Sequence, residues 1–349
     1  MESPMDGITR RTFVAALCLV ALAVAGLTPT KALAKEKLVV YSARKEQLIR
    51  PTIQAFEKET GIRVTLLTGK AGELARRIEI ERKRPQGDVF VGTAAGISEL
   101  LRRMGLLSPY TSRHTRAIPA EFRATDGTWV GVTGRVRVII YNKDMVKDSD
   151  LPTSFFDLTV PRWKGKVAVA SMGERTTVSW LASIMAIKGE AFTMQYVRGL
   201  KANGLKVLKN NTEVRRAVAR GEYPLGITNH YYFMIQKHED PTSPIGILYP
   251  DQGDGQMGTP MATITVAIIR GAKHPKQAQR FIDFLLQPTG NRLLVEGKYE
   301  LPLANGVRPV GLEHGVKGLG EFKRAPVTQV QMADFEPIVE KRLGTFLIP

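Results

Sequence analysis

Two long β-rich runs, separated by a segment of domain size, constrain the fold of this chain more than any other feature. The first run covers residues 131–141 and the second covers 262–269, and both are dominated by β-branched and glycine residues or by alanine and isoleucine. Each run is long enough to pass from one globular lobe into another. Together they predict a discontinuous first lobe that is built from both ends of the chain.

Short strand and helix patterns alternate ahead of the first run. Strand patterns at 37–42, 63–67 and 88–91 alternate with helical patterns at 45–59 and 73–84. Such alternation is typical of a mainly parallel sheet covered by helices. We therefore predict an α/β, two-lobed fold, with two hinge-crossing strands and a ligand cleft between the lobes.

These patterns also predict where the domains begin and end. Residues 35–134 form the first part of lobe 1, and residues 135–261 form lobe 2. Residues 262–349 supply the second part of lobe 1 and a C-terminal segment.

Residues 1–34 have the pattern of an export signal. The arginine pair Arg10-Arg11 precedes an apolar run at 15–27, and a small-x-small cleavage site ends at Ala34. This pattern favours the twin-arginine route, and an ordinary secretory signal is the alternative. Either route predicts a periplasmic protein, and its only cysteine, Cys18, lies inside the signal, so the mature chain has no disulfide.

Charge and motif content exclude several classes of function. The chain carries 50 Lys and Arg residues against 33 Asp and Glu, a net charge of +17, which favours anionic partners. No nucleic-acid-binding motif accompanies this charge, so we expect no nucleic-acid partner. The sequence offers no nucleophile motif and no zinc spacing among its five histidines, so we expect a protein that is not an enzyme. We also expect it to be a monomer.

The adjacent tyrosines Tyr231 and Tyr232 are the strongest candidates for binding chemistry. They follow a predicted strand and precede a helical pattern, and such a junction in an α/β lobe faces the cleft. A phenolate is a hard anionic oxygen ligand that suits ferric iron, since a bound cation lowers the pKa of its ligands. Packing of two aromatic side chains in the core is the alternative.

From about residue 37 to about residue 303, the chain resembles the ferric-ion-binding proteins of bacterial iron ABC importers, which have the type II periplasmic-binding-protein fold. The similar segments are 40–44, 55–62, 87–90, 134–142, 161–167, 229–232 and 297–303. Most of these segments are shared with other receptors of the fold, and only the tyrosine pair points to iron. The resemblance implies that Tyr231 and Tyr232 bind Fe3+ together with carbonate or another synergistic anion.

The remaining ligands of the family are replaced in this chain. Lys45 and Glu46 stand where members have histidine or His-Tyr, and Thr93 stands near the position of a carboxylate. The segment 171–177 lacks the third tyrosine that some members carry. Possible additional ligands are therefore Glu46 and Glu174.

The resemblance also implies an anion site next to the iron. Arg44 resembles the arginine that many members place beside the anion, and Lys45 adds positive charge. A guanidinium can bind carbonate or phosphate with two parallel hydrogen bonds. Arg135 and Arg137 are further candidates.

The leading hypothesis is an exported receptor that captures ferric iron with an anion and delivers it to the permease of an inner-membrane ABC importer. The alternative is a receptor of the same fold for a small anionic solute, such as a phosphonate, a sugar phosphate or an iron chelate. An exported hydrolase and a cationic envelope-binding protein are the rivals from other classes.

Overall fold

The computed structural model describes residues 36–349, so the predicted signal at 1–34 lies outside the described residues. Within this part the strands are β1 (Lys37–Ser42), β2 (Arg63–Thr68), β3 (Val89–Gly92), β4 (Leu107–Ser108), β5 (Val130–Asn142), β6 (Val167–Ala170), β7 (Lys206–Leu208), β8 (Leu225–Asn229), β9 (Ile245–Leu248), β10 (Met261–Ile269) and β11 (Leu301–Pro302). The helices are α1 (Glu46–Thr60), α2 (Ala71–Ile80), α3 (Ala95–Arg103), α4 (Arg175–Lys188), α5 (Glu190–Ala202), α6 (Asn211–Ala219), α7 (His230–Glu239), α8 (Pro275–Leu286), α9 (Pro288–Glu296) and α10 (Gln329–Leu343). None of these helices is both long and apolar enough to cross a membrane.

Strand β5 joins two sheets, as the first β-rich run predicts. Its residues 130–136 pair with β10 in a first sheet of order β2-β1-β3-β10-β5, and its residues 137–142 pair with β8 and β9 in a second sheet. The second sheet continues from β8 to β6 and β7 through parallel pairs. The predicted α/β fold is confirmed, with a mainly parallel outer part in each sheet.

The second β-rich run, β10, pairs with β3, β4 and β5 inside the first sheet. The chain returns from the second sheet just before this strand, where the N–H of Arg137 donates to the carbonyl of Pro260 over 2.9 Å. The return therefore lies beside the midpoint of β5. The predicted domain boundaries at 134 and 261 stay predictions.

The largest apolar cluster packs on the first sheet and continues onto the second through Val138, Ile140 and Ile245. The helical spacing of α1 buries Ile49, Ile53 and Phe56 against the first sheet, and Phe56 makes edge-to-face contacts with Phe281 and Phe284 at centroid distances of 5.0 and 5.5 Å. A second cluster, around Trp180, Phe155 and Tyr196, packs on the second sheet.

The C-terminal helix α10 contacts both parts of the fold. It packs against α3, which follows β3 of the first sheet, and against α4, which follows β6 of the second sheet. Its residues Val339 and Leu343 are fully buried in the second core. The helix therefore spans the side of the molecule on which the two sheets meet.

Candidate functional site

The tyrosine pair lies at a strand-to-helix junction, as predicted. Strand β8 ends at Asn229 and α7 begins at His230, so Tyr231 and Tyr232 occupy the first turn of the helix. Their rings stack at a centroid distance of 4.4 Å, and Tyr231 is only 2 % exposed. Burial, with the nearby Tyr231 and Glu174, raises the pKa of Tyr232 well above its usual value. Tyr232 is therefore a neutral phenol at ordinary pH, and a bound cation would favour its ionisation.

His230 anchors this helix start to the crossing strand. Its Nδ1 accepts the backbone N–H of Val136 over 3.1 Å, at the point where β5 passes from one sheet to the other. Burial lowers the pKa of His230 to about 4, so the ring is neutral. The hydrogen bond to Nδ1 therefore fixes the helix turn that carries Tyr231 and Tyr232 against β5.

Two cations lie against the ring of Tyr231. The guanidinium carbon of Arg135 is 5.5 Å from the ring centroid, and Nζ of Lys298 is 4.8 Å from it. Burial lowers the pKa of Lys298. Both side chains place positive charge against the ring of this buried tyrosine.

Arg135 and Arg44 share one buried carboxylate. Nη2 of Arg135 lies 2.8 Å from Oε1 of Glu300, Nη1 of Arg44 lies 2.5 Å from Oε2, and the hydroxyl of Thr133 donates to Oε2 over 2.6 Å. Although burial opposes ionisation, the two guanidinium groups hold the pKa of Glu300 well below its usual range. The structure thus gives Arg44 a protein carboxylate as its partner, and its anion-binding role stays a prediction.

Arg137 is the buried arginine that lacks such a partner among the described residues. Its Nη1 lies 3.3 Å from Oδ1 of Asn211 and 3.4 Å from Oδ1 of Asn229, and its Nη2 lies 3.5 Å from the hydroxyl of Thr177. Its guanidinium carbon also lies 5.3 Å from the ring centroid of Trp180. Burial lowers the pKa of Arg137 to about 10, so it still carries its charge at neutral pH.

A small cavity beside Arg137 is lined by residues with unpaired N–H donors. Nε of Arg137, Nε1 of Trp180 and Nδ2 of Asn229 are all buried without an acceptor, and all three residues line this cavity. Buried polar groups in proteins are nearly always hydrogen-bonded. Three N–H donors without a protein acceptor therefore suit an anionic oxygen ligand.

The other predicted residues fall in two places. Glu174 is half-buried, accepts a hydrogen bond from Nδ2 of Asn211 over 3.2 Å and lies close enough to Tyr232 to raise its pKa. Lys45 and Glu46 are exposed at the start of α1, where Glu46 pairs with Arg50 one turn along the helix. The structure brings Glu174 to the tyrosines, and the ligand roles of all three residues stay predictions.

The described residues contain no group of three His, Cys, Asp or Glu side chains that could hold a metal ion. A metal bound by the tyrosine pair would therefore not lie in a cluster of three such side chains. Sequence analysis gave Arg137 only a supporting role and missed Lys298 and Trp180. The spacing of Arg135 and Arg137, two apart in a buried strand, was the available signal, because such residues share one face.

Comparison with known proteins gives consistent matches. A model of the family described as bacterial extracellular solute-binding protein matches residues 38–297. Iron uptake protein A2 of Synechocystis is 31% identical over 342 residues, which cover 95% of each chain.

Two solved structures cover nearly the whole described part of the chain. Iron-bound HitA from Pseudomonas aeruginosa superposes with a TM-score of 0.79 at 26% identity, covering 88% of this chain and 99% of that one. The IdiA (FutA) protein of Trichodesmium, in complex with iron and citrate, superposes with a TM-score of 0.80 at 27% identity, covering 89% and 99%.

Proposed function

The chain belongs to the family of bacterial extracellular solute-binding proteins, and we propose that it is a periplasmic receptor for ferric iron. In this proposal Tyr231 and Tyr232 bind the ion as phenolates, and the closed receptor delivers it to the permease of an inner-membrane ABC importer. The protein is exported through its twin-arginine signal and acts as a monomer. Iron-binding relatives of the same length support the cargo.

The observation that carries the proposal is the close tyrosine pair with two cationic side chains against the ring of Tyr231. Two phenol side chains lie side by side at one helix start, with Arg135 and Lys298 against the ring of Tyr231. A bound Fe3+ ion favours the phenolate form of its tyrosine ligands. Ferric iron prefers hard oxygen donors. Packing alone does not require two cations on the face of one buried tyrosine.

An anionic chelator completes the coordination in this proposal. Two phenolates leave a six-coordinate ion short of donors, and the nearby cavity offers three free N–H groups, including that of Arg137. A carboxylate chelator such as citrate can bind the ion and also accept hydrogen bonds from these N–H groups. A Trichodesmium relative has been solved with iron and citrate. Carbonate is the smaller alternative to citrate as the anion that binds with the ion.

Ferric citrate titration tests the cargo. The purified protein should develop a visible phenolate-to-iron charge-transfer band that saturates at one iron per chain. Tyr231→Phe and Tyr232→Phe should each weaken or abolish the band, whereas Tyr223→Phe, away from the site, should leave it unchanged. A colourless protein, or a double variant that titrates like the parent, contradicts the proposal.

A second candidate is a receptor for a small organic anion without metal, and the buried guanidinium of Arg137, which pairs with no carboxylate and has an unpaired Nε, favours it. A thermal-shift screen separates the two functions, because a ligand that binds only the folded protein raises its melting temperature. A large shift with a sugar phosphate or phosphonate alone, and none with ferric citrate, selects this candidate.

A further inference from the structure

A groove of about 690 Å³ runs between helices α2 and α3. Apolar side chains that face solvent line it: Ile80 is 74% exposed, Leu100 is 47% exposed and Met104 is 40% exposed. Large apolar side chains gathered in one concave surface mark interaction sites.

The rim of the groove is positively charged. Arg76, Arg82 and Lys83 line it, all three are exposed, and in the part of the chain that the structure describes none of them forms an ion pair. The neighbouring Arg77 differs, because it pairs with Glu81 over 2.8 Å. Against these three free cations the rim carries one acid, Glu79, so the surface fits a partner of net negative charge.

The groove lies on the side of the first sheet and is linked to the site through the loop after β3. Helices α2 and α3 follow the carboxyl ends of β2 and β3, and the loop after β3 contributes the Thr93 carbonyl that accepts from Arg135 over 3.2 Å. The groove extends from these amino ends, at Gly72 and Ile97, to the carboxyl ends of both helices. A partner bound in the groove would contact α2 and α3 along their whole length.

We propose that this groove binds an acidic amphipathic helix of a protein partner. Helix α2 has ten residues, about 15 Å, which matches three turns of a docked helix. Apolar residues of the partner would cover Ile80, Leu100 and Met104, and its carboxylates would meet the basic rim. Under the proposed function, on which this inference rests, the partner is the importer permease.

The test uses the iron-loaded receptor and its importer reconstituted in nanodiscs. Binding and stimulated ATP hydrolysis are measured for the parent, for Arg82→Glu/Lys83→Glu, for Leu100→Glu and for the control Lys164→Glu/Lys206→Glu. The control residues are also exposed and without an ion pair, but they lie on the second sheet's side. We expect both groove variants to weaken binding by about tenfold or more and the control by less than about twofold.

Iron binding is followed separately by the visible band. If the groove inference is wrong, importer binding by the groove variants stays parental while the band is present, and if the cargo assignment is wrong, the band itself is absent. Groove variants that bind the importer like the parent overturn the inference, as does a parent that does not bind it. Two further measurements address other occupants. Groove-dependent self-association in sedimentation, or groove-dependent binding to anionic lipid vesicles with no importer binding, also overturns it.

Discussion

At the scale of single residues, Glu300 determines whether two buried arginines are tolerated. Its two oxygens meet Arg44 and Arg135, and all three side chains are almost fully buried. Removing one member of a buried ion pair leaves an uncompensated charge, which costs far more than the pair itself contributes.

We therefore predict that Glu300→Gln lowers the free energy of unfolding by about 3–5 kcal/mol in urea denaturation. Glu46→Gln, which breaks the exposed pair with Arg50, is the control and should change it by less than about 1 kcal/mol. Equal effects of the two substitutions would contradict the assignment.

The same carboxylate predicts a pH dependence. The pKa of Glu300 is lower in the folded state than in the unfolded chain, so its contribution is fully present above the unfolded pKa, about 4.3, and is lost as the pH falls below it. The difference in unfolding free energy between the parent and Glu300→Gln should therefore narrow from pH 5 to pH 3. A constant difference over that range would show that Glu300 is not the titrating group.

Arg137 supplies a prediction about the anion. Arg137→Gln removes a buried charge and the free Nε donor, so ferric citrate should bind roughly tenfold to a hundredfold more weakly. Competition with a coloured chelator measures this change. Arg198→Gln, an exposed arginine on α5, is the control, and unchanged affinity in Arg137→Gln would show that the cavity holds no part of the ligand.

At the scale of elements, the N-terminus of α10 is joined to strand β10 by a side chain. Gln329 accepts the N–H of Thr263 over 3.1 Å and donates to the carbonyl of Met261 over 2.8 Å. Gln329→Ala leaves both backbone groups unpaired and should destabilise the fold by about 2 kcal/mol in urea denaturation. Gln54→Ala on the exposed face of α1 should have no measurable effect, and equal results would contradict this role for Gln329.

Most elements could be predicted from the sequence because their apolar spacing is local. The predicted strand at 37–42 and the predicted helix at 45–59 agree with β1 and, to within one residue at each end, with α1. The helix predicted at 73–84 ends earlier, at Ile80, and a 3₁₀ turn follows. In that turn Glu81 accepts a hydrogen bond from the hydroxyl of Tyr41, a residue 40 positions away that no local pattern reveals.

The site could be predicted only in part for the same reason. Tyr231 and Tyr232 were recognisable by residue type and by their place after a strand. Lys298 reaches Tyr231 from a segment 67 positions further along the chain, and Arg137 meets Trp180 through the packing of β5 on α4. Such contacts depend on tertiary structure, so composition and spacing could not predict them.

At the scale of the whole molecule, Glu336 of α10 lies between the two lobes. Its carboxylate accepts from the hydroxyl of Ser179 over 2.6 Å and pairs with Arg175 at the start of α4. On the other side it packs against Gly96 in the first turn of α3, where an added Cβ would lie 2.1 Å from Oε2. Burial raises the pKa of Glu336, and this one side chain contacts helices that belong to different sheets.

We predict that Glu336→Gln weakens the closed form and increases the rate of iron release by roughly tenfold. Stopped-flow transfer of iron to a strong chelator measures the rate. Asp334→Asn, which affects only an exposed pair with Arg103, should release iron at the parental rate. An unchanged rate in Glu336→Gln would mean that the lobes close without this contact.

The hydrogen bond between Val136 and His230 has a consequence for observing the cargo cycle. The donor is a main-chain amide at the point where β5 changes sheets, and the acceptor belongs to the turn that carries both tyrosines. Its deuterium uptake can occur only when these two segments separate. The isotope exchange of one amide would therefore report how often the helix turn that carries both tyrosines detaches from β5, with or without iron.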